Sequence, residues 1–268
     1  MMINIVSDKN VANNKLVTKE EMEELLKKDS AKIYEVIRIV EGRPVFLREH
    51  FDRMNESIRL SRLKGVLDYE YYKSSAEMLI EANNLLNCNI RVSYYFTDED
   101  ILLFYFIESH YPSKKQFQEG VDTVTVKMHR KNPNVKAFEK NFKEEVQKVI
   151  DDTRSFEAIL VNDDNTVSEG SKSNVFFVKG EKIITSPDEA VLLGVTRSKV
   201  IDVCMASNVE VEKRIVHFDE LNSFDAAFIT GTSNDVLPIR KIDDKLYNSA
   251  ANDVVREVSR LYLEEMKK

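Results

Sequence analysis

The placing of glycine is what most limits the folds open to this chain. It has seven glycines in 268 residues, roughly a third of the usual ~7% share. The nearest two, Gly170 and Gly180, lie ten residues apart. A dinucleotide fingerprint G-x-G-x-x-G, a P-loop and a glycine-rich kinase lid all need closely spaced glycines, so none of them can form. Any phosphate must then be met by helix N-termini and isolated tight turns.

Composition narrows the class further. Hydrophobic residues make up 43% and charged residues 32% of the chain, which supports a sizeable core and argues against disorder. Lys+Arg number 39 against 46 Asp+Glu, a net charge of -7, which argues against a nucleic-acid partner. Cys88 and Cys204 are too few for a disulfide framework or a zinc cluster, and His50, His110, His129 and His217 lack metal-ligand spacing. No metal is expected. No apolar run approaches the ~20 residues that span a bilayer, and the N-terminus carries no signal-peptide pattern. The expectation is a cytoplasmic protein with no membrane partner.

Hydrophobic periodicity predicts the elements. Thr18 to Lys28 reads as a helix opened by a Thr18/Glu21 capping box. Ile33 to Val40 reads as a strand, turned by Glu41-Gly42-Arg43-Pro44 into Val45 to Leu47. Helices marked by Phe51, Met54 and Ile58, then by Tyr72, Ala76 and Leu79, precede strands at 90–96 and 101–107 joined through Thr97 to Asp100. Residues 123–128 form a strand. A helix carrying Phe138, Phe142, Val146 and Val149 follows the break at Asn132-Pro133-Asn134. Further strands are expected at 157–161, 174–178, 182–185, 209–216, 224–230 and 235–242. Helices are expected at 196–206 and around Val254, Val258 and Leu261. The order is α/β, of the α+β two-domain kind: a smaller domain over 1–112, a linker over 113–120 and a larger domain over 121–268.

Three glycines fall in polar, turn-like segments: Ser168-Glu169-Gly170-Ser171, Leu193-Gly194-Val195-Thr196-Arg197 and Thr230-Gly231-Thr232-Ser233. The second opens a helix, where unbonded N–H groups and a hydroxyl can bind an anion or Thr196 can simply cap. The third lies between strands and can be an anion-binding nest or an ordinary hairpin turn.

In combination with Ile33-Tyr34-Glu35-Val36-Ile37-Arg38, Glu49-His50-Phe51-Asp52-Arg53-Met54, Asn134-Val135-Lys136 and Glu157 to Phe177, these segments resemble the class IV pyridoxal-phosphate enzymes. That family holds branched-chain aminotransferases, D-amino-acid aminotransferases and aminodeoxychorismate lyases. The motifs span nearly the whole chain in the family's order. The resemblance implies the D-amino-acid-aminotransferase-like fold, with pyridoxal 5'-phosphate in the interdomain cleft and usually a homodimer. It also implies that Lys136 forms a Schiff base with the cofactor and moves the substrate's Cα proton. Glu169 would pair with the pyridine nitrogen. Arg53, Val195, Thr196 and Thr232 would bind the phosphate, and Tyr34 and Ser233 would line the substrate side.

The activity so implied is transfer of an amino group between a small, possibly branched-chain, amino acid and a 2-oxo acid. The alternatives are the pyruvate-releasing lyase, which shares the same core, and a cofactor-binding or interaction protein without turnover. Two departures bear on substrate. Asn141 stands where branched-chain members have a tyrosine five residues after the lysine. The strand Asn89 to Phe96 lacks the Arg-Gly pair of D-amino-acid and lyase members, leaving Arg91 as a substitute carboxylate ligand or a structural arginine. Tyr94 and Tyr95 point to opposite faces, so only one can line the cleft holding Tyr34.

Overall fold

The computed structural model describes residues 4–28, 30, 32–62, 65, 67–97, 99–130 and 132–268. Asp98, within the expected turn, lies outside them. The chain divides into two compact units, Met1–His110 with Val135–Phe138, and Tyr111–Asn134 with Glu139–Lys268. No helix among the described residues is long and apolar enough to cross a membrane.

In the first unit, β1 (Lys9–Ala12), β2 (Lys15–Thr18), α1 (Lys19–Leu26), β3 (Lys32–Val40) and β4 (Arg43–Pro44) are followed by α2 (Leu47–Leu60) and α3 (Tyr69–Asn83). β5 (Cys88–Tyr95) and β6 (Ile101–Ile107) complete it. The strands form an antiparallel sheet in the order β2-β1-β6-β5-β3-β4. The capping box expected for α1 is present. Strand β3 alternates strictly between buried and half-buried positions, as a two-sided strand must. Its buried phase, Ile33, Ile37 and Ile39, packs with β5 and β6 residues against Phe51, Met54 and Ile58 of α2 and Tyr72, Ala76 and Leu79 of α3.

Two expectations for this unit are corrected. Glu41 and Gly42 both have positive φ, 51° and 78°, as tight hairpin turns require, but the returning strand is only Arg43–Pro44. Leu47 already begins α2. Phe138 is not helical. Residues 135–138 run along the edge of β3, where Tyr34 N–H donates to Lys136 O and Phe138 N–H to Lys32 O, each at 3.2 Å. Among the described residues the edge of β3 over 32–38 has no other strand beside it in the sheet order, and pairing satisfies its main-chain groups better than another helical turn would.

The second unit holds α4 (Lys114–Glu119), β7 (Val121–Lys127), α5 (Lys140–Thr153), β8 (Glu157–Val161), β9 (Thr166–Gly170), β10 (Asn174–Lys179) and β11 (Lys182–Thr185). Then come α6 (Val195–Ala206), β12 (Val211–Lys213), β13 (Val216–His217), β14 (Ala226–Gly231), β15 (Asp235–Ile242), β16 (Lys245–Leu246) and α7 (Asp253–Glu265). Its mixed sheet runs β12-β11-β10-β14-β15-β7-β8-β9-β13, with β16 beside β15. The stretch expected as a linker contains α4, opened by a Ser113/Gln116 capping box. The strand expected over 209–216 is two short ones, β12 beside β11 and β13 beside β9.

Candidate active site

Polar side chains in core positions mark the chemistry of the first unit. Glu35 takes the buried phase of β3 otherwise filled by isoleucines, and His50 lies on the buried face of α2 with Leu47, Phe51 and Met54. Arg53 follows His50 by one helical turn. Glu35 is fully buried and accepts from His50 Nδ1 at 2.8 Å and from Arg53 Nε at 2.8 Å, with Arg53 Nη2 closing a fork onto the carboxylate. Burial raises the Glu35 pKa, but Arg53 and the His50 hydrogen bond overcome it and hold the carboxyl at about 2. Burial lowers the His50 pKa more than Glu35 raises it, so the imidazole is neutral and Nδ1 carries the donated proton. Burial works against the Arg53 charge too, and Glu35 outweighs it, leaving the pKa raised.

These shifts set an acid limit on stability. Glu35 has a depressed folded pKa, so its contribution is complete above the ordinary carboxyl value of 4.5 and is lost as pH falls toward about 2. His50 adds in the same direction: its folded pKa lies below the ordinary 6.5, so the unfolded chain takes up a proton first. Thermal unfolding measured between pH 7 and 3 is therefore expected to show Tm falling from below about 6.5 and more steeply below 4.5. A flat Tm through that window would contradict the buried triad.

The opposite phase of β3 carries a second group. Lys136 Nζ lies 5.2 Å from the centre of the Tyr34 ring, and the Arg91 guanidinium lies 4.1 Å from that same ring. Phe138 stands edge-on to Tyr34 at 6.3 Å and lies 5.6 Å from Arg91. Arg91 is 8% exposed. Among the described residues its Nε has no hydrogen-bond partner and no carboxylate pairs with it. A buried guanidinium left so is a ready acceptor of an anion. Tyr95 shares this face, whereas the Tyr94 hydroxyl points the other way, to Asp100 at 2.6 Å.

In the second unit the three glycine segments converge on Asn174. Its Nδ2 donates to Glu169 Oε2 at 3.1 Å and to Leu192 O at 2.9 Å, and its backbone pairs with Thr230. A Cβ on Gly194 would stand 2.2 Å from Asn174 Oδ1, so any side chain there would have to displace the Asn174 amide. Glu169, 3% exposed, also accepts from Leu192 N–H at 3.1 Å and from Arg130 Nε at 2.8 Å. Gly194 caps α6 without a side-chain bond, and Thr196 lies inside the first turn rather than at the cap. The α6 N-terminus thus offers main-chain donors, at the half-positive end of the helix dipole. Val195 and Thr196 are buried there. Thr232 and Ser233 occupy the half-buried hairpin turn between β14 and β15, which Asn234 N–H closes onto Gly231 O. Beside it, the buried Thr230 Oγ1 has no hydrogen-bond partner among the described residues.

The structure thus groups Tyr34, Arg53 and Lys136 in one unit and Glu169, Val195, Thr196, Thr232 and Ser233 in the other. Asn141 is exposed in the first turn of α5. Sequence reasoning assigned no part to Glu35, His50, Arg130 or Asn174. A glutamate in the apolar phase of a strand and a histidine on the apolar face of a helix signal the first two. Arg130, in an irregular polar segment, carries no such signal.

Residues 32–242 match the family model of the class IV amino-transferases. The D-alanine aminotransferase of Bacillus licheniformis is 28% identical over 232 residues, covering 82% of this chain and 81% of that one. The aminodeoxychorismate lyase of Bacillus subtilis is 22% identical over 250 residues, covering 88% and 85%. Among solved structures, the branched-chain amino acid aminotransferase of Thermobaculum terrenum in its PLP-form is 21% identical, with a TM-score of 0.83 over 97% of this chain and 94% of that one. The likeness to that structure is one of fold.

Proposed function

Because the chain belongs to the class IV aminotransferase family, we propose that it is a pyridoxal-phosphate-dependent aminotransferase exchanging an amino group between a small amino acid and a 2-oxo acid. The observation that carries this reading is the pair of cations on one ring, Lys136 Nζ and the Arg91 guanidinium over Tyr34, the latter paired with no carboxylate among the described residues. A 2-amino acid has a carboxylate next to its reacting carbon, so an amine nucleophile and a carboxylate ligand are needed side by side.

Pyridoxal 5'-phosphate is the cofactor that goes with the family, and the donor set fits it. Glu169 is a buried anion for the pyridine nitrogen. The uncapped start of α6 at Val195 and Thr196, the Thr230 hydroxyl, which bonds nothing among the described residues, and the neighbouring Thr232 suit a phosphate. Arg53, held by Glu35, adds a cation for the same phosphate. When bound, the cofactor supplies an electron sink for the pair left at Cα when its proton departs. Lys136 Nζ would hold the cofactor at its aldehyde carbon and would carry the proton that leaves the substrate's Cα. Arg91 orients the substrate carboxylate, with Tyr34 and Ser233 lining the substrate side. The two half-reactions use the same residues in opposite directions.

The test is a panel of amino acids and their decarboxylated amines, each supplied with 2-oxoglutarate. Amino acids should yield glutamate and the amines should not. Arg91→Gln should raise KM for the amino acid by about 10- to 100-fold, the worth of a charged hydrogen bond. Pyruvate released from aminodeoxychorismate with no amino acceptor present would establish the lyase instead.

A further inference from the structure

We propose that Arg130 is a positioning residue for Glu169, holding the carboxylate ionised and in one orientation toward the cofactor's ring nitrogen; this rests on the cofactor reading above. Glu169 has a side chain only 4% exposed. Asn174 and Leu192, both neutral, donate to its Oε2, and Arg130 donates to its Oε1. Two neutral donors do not offset the cost of burying a carboxylate, and a paired cation does. An exposed ion pair of this kind would be worth little. Here the arginine is 17% exposed, so solvent screens the pair weakly.

Arg130 also fixes direction. Its Nη2 donates to Ser171 O at 2.6 Å while Nε holds Glu169 at 2.8 Å, and its guanidinium lies 4.6 Å from the Phe142 ring. One planar fork therefore ties the carboxylate to main chain two residues further on. That main chain is pinned from its other side by Glu157, which accepts from Ser171 Oγ at 2.6 Å and Ser173 Oγ at 2.9 Å. The carboxylate plane cannot rotate without breaking the fork. An ionised Glu169 accepts from a ring N–H, whereas a protonated one would offer its own hydrogen instead and leave the ring nitrogen unprotonated.

The experiment compares the affinity of wild type, Arg130→Met, Glu169→Gln and the double variant for two probes. These are pyridoxal phosphate and its deaza analogue, in which C–H replaces the ring nitrogen. Wild type should prefer pyridoxal phosphate. Arg130→Met should lower that affinity by about 10- to 100-fold and leave the analogue's within about twofold, which a merely structural role would not do. The double variant should bind no more weakly than Glu169→Gln. Arg130→Lys, which keeps the charge without the fork, should regain part of the preference and serves if Arg130→Met fails to fold. Equal losses for both probes, or additive losses in the double variant, overturn the role of Arg130. A wild type that binds neither probe overturns the cofactor reading, and the inference with it.

Discussion

Lys136→Ala should leave a folded protein whose transamination is about a thousandfold or more slower, since it removes both the covalent anchor and the proton carrier. The wild type should be yellow with pyridoxal phosphate and should keep the label on Lys136 after borohydride reduction. The variant should bind the cofactor reversibly and retain nothing after reduction. The fold should survive because the strand segment at Lys136 is held by its main chain. Its N–H donates to Ser57 Oγ at 3.2 Å and its carbonyl accepts from Tyr34 N–H at 3.2 Å. Neither bond uses the side chain. If the variant still forms a reducible imine and turns over normally, the amine is another lysine.

The second large effect is on stability. Glu35→Gln should destabilise the first unit by about 3–5 kcal/mol, because it leaves the Arg53 guanidinium buried without its counter-charge. The glutamine keeps the shape of the side chain, so packing against Ile33 and Ile37 is not the cause. The loss is electrostatic: one anion stands against one cation and a neutral imidazole donor. The double variant Glu35→Gln/Arg53→Met should therefore recover much of the loss, since it removes the stranded cation as well. Urea unfolding of both variants gives the comparison. A single variant within about 1 kcal/mol of wild type would mean that Arg53 is solvated rather than buried.

Much of the secondary structure was legible because it is local. The 3.6-residue spacing of Phe51, Met54 and Ile58, and the reciprocal bonds of Thr18 and Glu21, depend on neighbours along the chain. The errors fell where a distant partner decides. Phe138 continues the apolar spacing of α5, yet it leaves the helix to pair with Lys32. The site followed the same division. The motifs that resemble the class IV enzymes singled out Lys136, Arg53 and Glu169, but not the groups that hold them.

By itself, then, the sequence determined the absence of a glycine-rich phosphate loop, many of the helices and strands, and the family to which the chain belongs. Seven scattered glycines and a set of motifs in order are properties of one dimension. The tertiary structure alone decided that Glu35 clamps Arg53 and His50, that Arg91 and Lys136 both lie over the Tyr34 ring, and that Asn174 draws three glycine segments together. Apart from Asn174 with Glu169, those pairings join residues 15 to 102 positions apart, and strand register, not chain distance, sets which of them meet. Their strength likewise depends on burial, which raises the cost of every unpaired charge and is absent from the sequence as written.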